Sequence, residues 1–373
     1  MKILFTAEGE NWGGQEERTL EEALWLISQG HEVLLAAGKD SQIIIRAREQ
    51  GIPAAEVPMG RASVLQGIWK LFVAVRKFRP DVIHTRDSRD TWRCLIFKWM
   101  GIATVRSRHW MLHPQQKSTR RWIWQHGSTR LIACAEYMRQ VMRENFRFPE
   151  DRIDLIGEGA DLEKFYPGES GEAIRREWNI PTDAVLFGFV GRLAFDKNPL
   201  SFVRAAKKIS LLFPRARFLA VGCYKTETPR SEEVESLVAE LFADNPDVLR
   251  LTGQRSDVPD LMRAFDVFVL PSLLECQSRV IPQAFATGLP VIATNVGGIG
   301  DLVKHDITGL LVPPLNDDAL AAAMQEMMVS EALRTRLGQA GYDFARKNLS
   351  IKMRMQELLE CYQKAVNKRS RKC

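Results

Sequence analysis

Residues 184–197 carry the sequence AVLFGFVGRLAFDK, in which an apolar run is followed at once by a glycine and two cationic side chains. The run 184–190 has the length of a buried β-strand. Gly191 permits a close backbone approach, and Arg192 and Lys197 come just before a segment with helical periodicity. The stretch predicts a strand, a polar loop at its carboxyl end and a helix, which is the repeating unit of a parallel α/β sheet.

The same alternation recurs on both sides of this stretch. The further strand candidates are 2–6, 31–37, 82–84, 103–106, 131–134, 218–221, 248–251, 267–270 and 291–294. On the N-terminal side, Leu20, Ala23, Leu24 and Ile27 form the apolar stripe of an amphipathic helix. The pattern predicts parallel sheets with helices on both faces.

A turn-rich segment, GEGADLEKFYPG at 157–168, separates two such halves, and we place the hinge there. We predict an N-terminal Rossmann-like domain at 1–165, a C-terminal one at 166–350, and a C-terminal helix with a basic tail at 351–373, the helix packing back on the N-terminal domain. The length of 373 residues exceeds what one core usually supports. Two doubly wound domains place a ligand cleft between the carboxyl ends of their strands.

Composition excludes several other classes of protein. The chain is 45% hydrophobic and 26% charged, as is typical of a soluble globular protein. Its apolar runs are far shorter than the roughly 20 residues of a membrane span, and the N-terminal run is too short for a signal peptide. The six cysteines lack zinc-type spacing. We expect a cytoplasmic protein without a metal site, and the net charge of +6 suggests an anionic partner.

Two further loops follow predicted strands of the second half. Residues 271–286 place Glu275 on a loop and Gln283 on the helix after it, and backbone N–H groups at the start of that helix favour an anion. Residues 294–301 form a glycine-rich turn. Each loop alone is equally consistent with solvated polar side chains, but three in this order favour a diphosphate site.

Together these motifs resemble those of glycosyltransferase family 4, whose members are retaining enzymes with the GT-B fold of two facing Rossmann-like domains. The resemblance covers nearly the whole chain and rests on Gly13-Gly14, Gly191-Arg192 with Lys197, Gly253 before 257–261, 266–272, an E-x7-E-like region from Glu275, 288–294, 296–298 and 308–313. It implies an α/β fold with an interdomain cleft. It also implies the transfer of a hexose-type sugar from a nucleotide diphosphate sugar, with a UDP-sugar favoured on family frequency.

The resemblance implies roles for particular residues. Arg192 and Lys197 would bind the donor diphosphate and stabilise the leaving group. Glu275 would bond hydroxyls of the donor sugar, and His109 occupies the place of the active-site histidine of the family; these four are the expected catalytic residues. The expected donor-binding residues are Gly14, Gly191, Arg192, Lys197, Glu275, Ser278, Arg279, Val280 and Gln283.

The sequence departs from the family pattern at Gln283, which stands where a second Glu usually accepts the ribose hydroxyls. A neutral acceptor weakens such a bond by about 1 kcal/mol. Gln277 and Ser278 replace a bulky residue and a glycine, and Glu158 replaces an interdomain Asn. The implied mechanism uses no metal, no cofactor and no protein nucleophile. Cations neutralise the diphosphate, and the leaving phosphate takes the proton of an acceptor that attacks on the front face.

The composition of residues 86–147 indicates the chemical class of the acceptor. They hold 13 Lys and Arg, four Asp and Glu, and five Trp. Because cations suit phosphates and indoles suit the headgroup level of a bilayer, we expect an anionic glycan or glycolipid acceptor, such as lipopolysaccharide core, and a peripheral contact with the inner face of the cytoplasmic membrane. The alternative is a solvated basic face with core tryptophans. Residues 63–77 form either a membrane-surface helix or an ordinary helix packed on the sheet.

Two other functions stay open at this point. Gln283 and the altered loop after Glu275 are compatible with a nucleotide-sugar-binding protein of impaired activity. The fold also suits an epimerase that acts on the nucleotide sugar alone, although this leaves the basic segment without a role. That segment has no nucleic-acid-binding module of its own, so we expect no nucleic-acid partner.

Overall fold

The chain folds into two compact α/β units in a computed structural model that describes residues 1–7, 13–60, 63–86, 88–108, 118–222 and 229–370. Unit 1 comprises residues 1–157 together with 354–373, and unit 2 comprises residues 158–353. Each unit has its own parallel sheet and hydrophobic core. None of the described helices combines the length and the apolar character that a bilayer crossing requires.

Unit 1 is built on a seven-stranded parallel sheet in the order β3-β2-β1-β4-β5-β6-β7. Its elements are β1 (Lys2–Thr6), α1 (Gly14–Ser28), β2 (Glu32–Ala37), α2 (Gln42–Glu49), β3 (Ala54–Glu56), α3 (Val64–Phe78), β4 (Val82–Thr85), α4 (Ser88–Trp99), β5 (Ala103–Arg108), α5 (Ser118–His126), β6 (Arg130–Ala133), α6 (Glu136–Glu144) and β7 (Ile153–Leu155). The strand order reverses between β1 and β4, the switch point at which Rossmann-like sheets bind ligands.

Unit 2 is built on a six-stranded parallel sheet in the order β10-β9-β8-β11-β12-β13. Its elements are α7 (Gly171–Glu177), β8 (Val185–Val190), α8 (Pro199–Leu212), β9 (Ala216–Val221), α9 (Pro229–Leu241), β10 (Leu249–Gly253), α10 (Val258–Ala264), β11 (Val267–Leu270), α11 (Val280–Ala286), β12 (Val291–Thr294), α12 (Ile299–Leu302), β13 (Gly309–Val312), α13 (Asp317–Val329) and α14 (Glu331–Asn348). The last helix, α15 (Ile351–Ser370), belongs to unit 1 from Arg354 onward.

Helices cover both faces of the sheet in unit 1. Successive residues of β1 point to opposite faces, so Ile3 and Phe5 pack in the core beneath α1, α2 and α15, whereas Leu4 packs in the core beneath α3 and α4. Tyr362 anchors α15, because its ring is buried and its hydroxyl lies 2.7 Å from Nδ1 of His84 on β4. The C-terminal helix therefore completes one face of unit 1.

The stretch at 184–197 folds as its sequence predicts, into β8, a loop with one 3-10 turn at Phe195–Lys197, and the start of α8. Every residue of β8 is buried. Gly188 allows this close packing, since a Cβ at that position would lie 2.1 Å from the ring of Phe265. The predicted α/β class and the two Rossmann-like domains are confirmed.

Candidate active site

The loop between β8 and α8 carries Gly191, Arg192 and Lys197. It lies at the switch point of unit 2, because the strand order reverses between β8 and β11. The N–H of Gly191 donates to the carbonyl of Val221 at the end of β9 (2.9 Å). A Cβ at Gly222 would lie 1.9 Å from the carbonyl oxygen of Gly191, so the backbones meet there as closely as glycine allows. These backbone contacts fix the start of the loop.

Arg192 stands on the outer side of this loop. Its side chain is 43% exposed and forms an ion pair with Asp196 at 3.0 Å. An exposed pair of this kind contributes only about 0.2–1 kcal/mol. An anionic ligand can therefore take the place of Asp196 at small cost.

Lys197 and Glu275 form an ion pair between two loops that are 78 residues apart in the sequence. The Lys197 side chain is 19% exposed and the Glu275 side chain 7%. The hydroxyl of Ser272 donates to the same carboxylate at 3.2 Å. Because a buried charge is stable only with such partners, the pair holds one cation and one anion side by side at the switch point.

The glycine-rich loop after β12 closes on the segment that bears Glu275. Gly297 has a φ of 51°, and a Cβ on it would lie 1.7 Å from the carbonyl oxygen of Glu275. The N–H of Gly298 donates to that carbonyl at 3.4 Å. The hydroxyl of Thr294 donates to the carbonyl of Ser272. The structure thus brings together the three loops of unit 2 that the sequence singles out.

The other donor-binding candidates of unit 2 lie where the second loop enters α11. Ser278 is buried, and its hydroxyl has no hydrogen-bond partner within the described part of the chain. Arg279 caps the helix, Val280 is its first residue, and Gln283 follows one turn later. Val280 and Gln283 are half-buried. A buried hydroxyl without a partner is a group that a ligand can satisfy.

Two residues that the sequence did not single out as site residues also shape these loops. Asp196 pairs with Arg192, and its carbonyl accepts the N–H of Leu273 at 2.8 Å. The side-chain oxygen of Gln277 accepts the backbone N–H of Glu158, which gives a local structural role to one of the departures from the family pattern. The role of Asp196 could have been predicted from its i, i+4 spacing with Arg192.

The remaining candidates belong to unit 1. Gly14 is the first residue of α1, which follows β1 at the switch point of that sheet. His109 lies outside the described residues. Near the same edge Glu22 is buried and paired with two buried arginines, Arg18 at 2.7 Å and Arg86 directly after β4. This charged cluster was not expected from the sequence.

Two surface hollows of about 310 Å³ each lie elsewhere on unit 2. One is lined in part by Trp178 and Phe242, and the other in part by Arg263 and Arg334. Neither is lined by a candidate site residue. The candidate site is therefore defined by the opposed charges of two loops, Arg192, Asp196 and Lys197 on the first and Glu275 on the second, because charge-assisted contacts are what bind an anion strongly.

Family models match both units. The model described as "Glycosyl transferases group 1" matches residues 170–344, and the model described as "Glycosyltransferase Family 4" matches residues 12–164. Together they span most of the chain.

Two curated relatives illustrate the similarity. The chain is 30% identical over 272 residues to the UDP-Gal:alpha-D-GlcNAc-diphosphoundecaprenol alpha-1,3-galactosyltransferase of Escherichia coli, with 68% of this chain and 67% of that protein covered. It is 30% identical over 345 residues to a D-inositol 3-phosphate glycosyltransferase of Stackebrandtia nassauensis, with 86% and 76% covered.

Solved structures share the fold. A glycosyltransferase from Rickettsia africae superposes with a TM-score of 0.87 at 22% identity and covers 98% of both chains. Anabaena HepE in complex with UDP-glucose superposes with a TM-score of 0.84 at 19% identity, with 98% of this chain and all of that chain covered. At these identities the likeness establishes the fold alone.

The matching family models and the curated relatives show that the chain with these two Rossmann-like units is an enzyme of the glycosyltransferase class that uses a nucleotide sugar. The chain belongs to glycosyltransferase family 4. The expected GT-B fold class, the enzyme class and the nucleotide-sugar donor are confirmed.

Proposed function

We propose that this enzyme is a retaining hexosyltransferase that uses a UDP-sugar donor and a lipid-linked glycan acceptor. The observation that carries the proposal is the buried pair of Lys197 and Glu275 beside the exposed guanidinium of Arg192. It sets two cations and two carboxylates, those of Asp196 and Glu275, where a Rossmann-like sheet binds its ligand. Support for UDP comes from the Escherichia coli relative, whose name specifies UDP-Gal, and from the Anabaena structure with UDP-glucose.

The charges have distinct tasks in the reaction. Arg192 and Lys197 bind the donor diphosphate, and Glu275 accepts bonds from hydroxyls of the sugar. When the bond from the anomeric carbon to the diphosphate oxygen breaks, negative charge builds on the leaving group, and the two cations stabilise it. The acceptor hydroxyl attacks from the same face and passes its proton to the departing phosphate oxygen. The configuration at the anomeric carbon is therefore retained.

The other candidates position the two substrates. Gly191 lets the diphosphate approach the backbone, and the buried hydroxyl of Ser278 donates to it. Arg279 and Val280 lie against the donor at the start of α11. Gln283 accepts the ribose hydroxyls.

In unit 1, Gly14 gives the first loop room near the phosphates, and His109 contacts the transferred sugar. These two assignments follow from the family resemblance.

Unit 1 binds the acceptor, a phosphate-bearing lipid-linked glycan of which lipopolysaccharide core is one example. Both relatives support a phosphate-bearing acceptor, since their names specify a diphosphoundecaprenol compound and D-inositol 3-phosphate, and the first name also supports the lipid linkage. The exposed cations of unit 1 are fewer than the sequence count suggests, because Arg86, Arg93 and Arg106 are buried. The enzyme works at the inner face of the cytoplasmic membrane.

A thermal-shift screen followed by a transfer assay tests the proposal. UDP should raise the melting temperature more than GDP or ADP, since ligand binding stabilises the folded state by mass action. The Lys197→Met variant should lose this shift. The Lys208→Met variant is the control and should keep it, because Lys208 is an exposed lysine of α8 paired with Asp318.

The products decide between the alternatives. With a lipid-linked acceptor we expect transfer with a retained anomeric configuration that chelator treatment leaves unchanged. An inverted product, or wild-type enzyme that UDP does not stabilise, contradicts the proposal. Stabilisation by UDP without hydrolysis or transfer indicates an impaired binding protein, and an epimerised nucleotide sugar formed without acceptor indicates an epimerase.

A further inference from the structure

Helix α3 of unit 1 presents a row of large apolar side chains to solvent. Leu65, Trp69 and Val73 follow one another at four-residue intervals, and Leu65 is 83% and Trp69 65% exposed. The residues that α3 buries form another row, Gly67, Leu71 and Val75. The two rows are offset by two residues, or about 200° around the helix. The helix therefore has one apolar side against the sheet and a second apolar side in water.

A surface helix usually exposes polar residues and buries apolar ones, and helix α4 largely reverses this pattern. The exposed residues described between 89 and 100 are all large and apolar: Trp92, Ile96, Trp99 and Met100. Trp99 is 70% and Met100 54% exposed. The polar residues Asp90, Thr91 and Arg93 are buried instead. Arg89 and Lys98 are half-buried. A helix that buries several polar residues and exposes its indoles is expected where something apolar covers it.

Stacked rings join three helices into one surface. Phe72 of α3 stacks on Phe97 of α4 with centroids 6.3 Å apart, and Trp92 of α4 stacks on Trp122 of α5 at 5.9 Å. The rows on these helices are therefore neighbours. We call this surface the apolar face; it consists of Leu65, Trp69, Val73, Trp92, Ile96, Trp99, Met100 and Trp122. Helices α1 and α2 cover the other face of the sheet. The exposed large apolar residues on these two helices are scattered, and none of them is more than 40% exposed.

The exposed charged side chains described on α3 and at its C-terminal end are all cationic. Residues 63–80 contain four cations and no acid, and all four cations are exposed: Lys70, Arg76, Lys77 and Arg79. The acid on α4, Asp90, is buried and accepts the hydroxyl of Thr6 at 2.7 Å. Helix α5 has no acid. A cationic surround complements an anionic lipid surface, whereas a second copy of this chain would bring like charges together.

We infer that the apolar face docks unit 1 on an anionic phospholipid bilayer. The indoles lie at the headgroup level, and the cations lie against the lipid phosphates. Only the biological role of this docking, which is to bring the enzyme to a lipid-linked acceptor, rests on the proposed function. The docking itself follows from the side chains of α3, α4 and α5.

Vesicle flotation tests the inference with the full chain. The wild type should float with vesicles of phosphatidylglycerol and phosphatidylethanolamine at 0.1 M salt and much less with neutral phosphatidylcholine. The variant Leu65→Ser/Trp69→Ser/Trp99→Ser should bind about 1000-fold more weakly, since each lost side chain removes about tenfold or more. The control, Leu211→Ser/Leu212→Ser, changes exposed leucines of unit 2 and should float like the wild type.

A second pair of variants tests the electrostatic part. Lys70→Gln/Lys77→Gln should weaken binding to anionic vesicles about 25-fold, because each cation near the surface contributes about fivefold. The control, Lys39→Gln/Lys347→Gln, removes exposed lysines that lie off these helices and should have little effect.

Three results would overturn the inference: a wild type that does not float, a triple variant that floats like the wild type, or a concentration-dependent dimer that the triple variant abolishes. Thermal shift with UDP separates this question from the proposed function. All these variants should keep the wild-type shift, because none of the residues that they change is a candidate site residue. A wild type that floats but is not stabilised by UDP contradicts the proposed function and leaves the docking inference standing.

Discussion

Replacing Lys197 by methionine should destabilise unit 2 strongly, although one end of the lysine reaches solvent. Methionine keeps most of the apolar volume of the side chain but removes its charge. Glu275, 7% exposed, would then keep the hydrogen bond that the Ser272 hydroxyl donates to it but lose the positive charge of Lys197. The prediction therefore isolates the cost of a buried carboxylate that has lost its cation.

The magnitude follows from burial. Removing one partner of a fully buried pair costs about 3–5 kcal/mol. Since the Lys197 side chain is 19% exposed, water can reach part of the site, and we expect a cost just below that range, about 2–3 kcal/mol. For a domain of the size of residues 158–353, each kcal/mol lowers the melting temperature by about 2–4 °C. The expected loss is therefore about 5–10 °C.

Calorimetry of a double-mutant cycle measures this. Lys197→Met/Glu275→Gln should recover most of the stability that Lys197→Met loses, with a coupling free energy of about 2 kcal/mol. Arg192→Met is the matched control, and it should stay within about 1 kcal/mol of the wild type because its pair with Asp196 is exposed. A Lys197→Met variant as stable as the wild type, or a cycle without coupling, would refute the reasoning.

Three further predictions concern the donor site, its third loop and the pH dependence of stability. Gln283→Glu should lower the KM for the donor about fivefold, since a charged acceptor binds ribose hydroxyls more strongly; an unchanged KM places the ribose elsewhere. Gly297→Ala should lower stability by several kcal/mol and abolish the thermal shift with UDP, because its Cβ would lie 1.7 Å from the Glu275 carbonyl. The control Gly253→Ala, at a φ of 70° and with no atom of the described residues within 4 Å of its Cβ, should cost only about 1–2 kcal/mol. Alkaline pH should destabilise unit 1, because burial raises the pKa of three of its groups well above 9.0 for cysteine and 10.0 for tyrosine: Cys94, Cys361 and Tyr362. The folded chain keeps protons that the unfolded chain releases, so this stability is complete below pH 9 and falls above it by up to about 1.4 kcal/mol per pH unit and group; urea unfolding that is unchanged to pH 10.5 contradicts this.

The fold was predictable where strands are continuous apolar runs. Val267–Leu270 and Val291–Thr294 form strands over the very residues that the pattern indicates. The three-residue strands β3 and β7 gave no such signal, because so short a strand forms only through its pairing with a neighbour. In α1 the predicted stripe includes Leu24, which is exposed, while the buried side holds the ion pair of Arg18 and Glu22. Hydrophobic periodicity cannot predict the buried face of a helix when that face holds paired charged residues.

The loops of the candidate site were predictable from topology, since loops at the carboxyl ends of neighbouring parallel strands share one edge of the sheet. The ion pair of Lys197 with Glu275 was not, because it depends on side-chain positions between distant segments. A charge count also cannot separate buried from exposed cations. Arg106, for example, is buried with its guanidinium 3.5 Å from the ring centre of Trp124. The basic segment therefore contributes to the core of unit 1 as well as to its surface.

The discontinuity of unit 1 bears on how the chain folds as it leaves the ribosome. Residues 158–353 are contiguous, so unit 2 can reach its native state as soon as it has emerged. Unit 1 begins first but finishes last, because Tyr362 must still be synthesised before it can cover His84. Until then one side of its sheet stays open, and nascent chains are most exposed to chaperones and proteases through this interval.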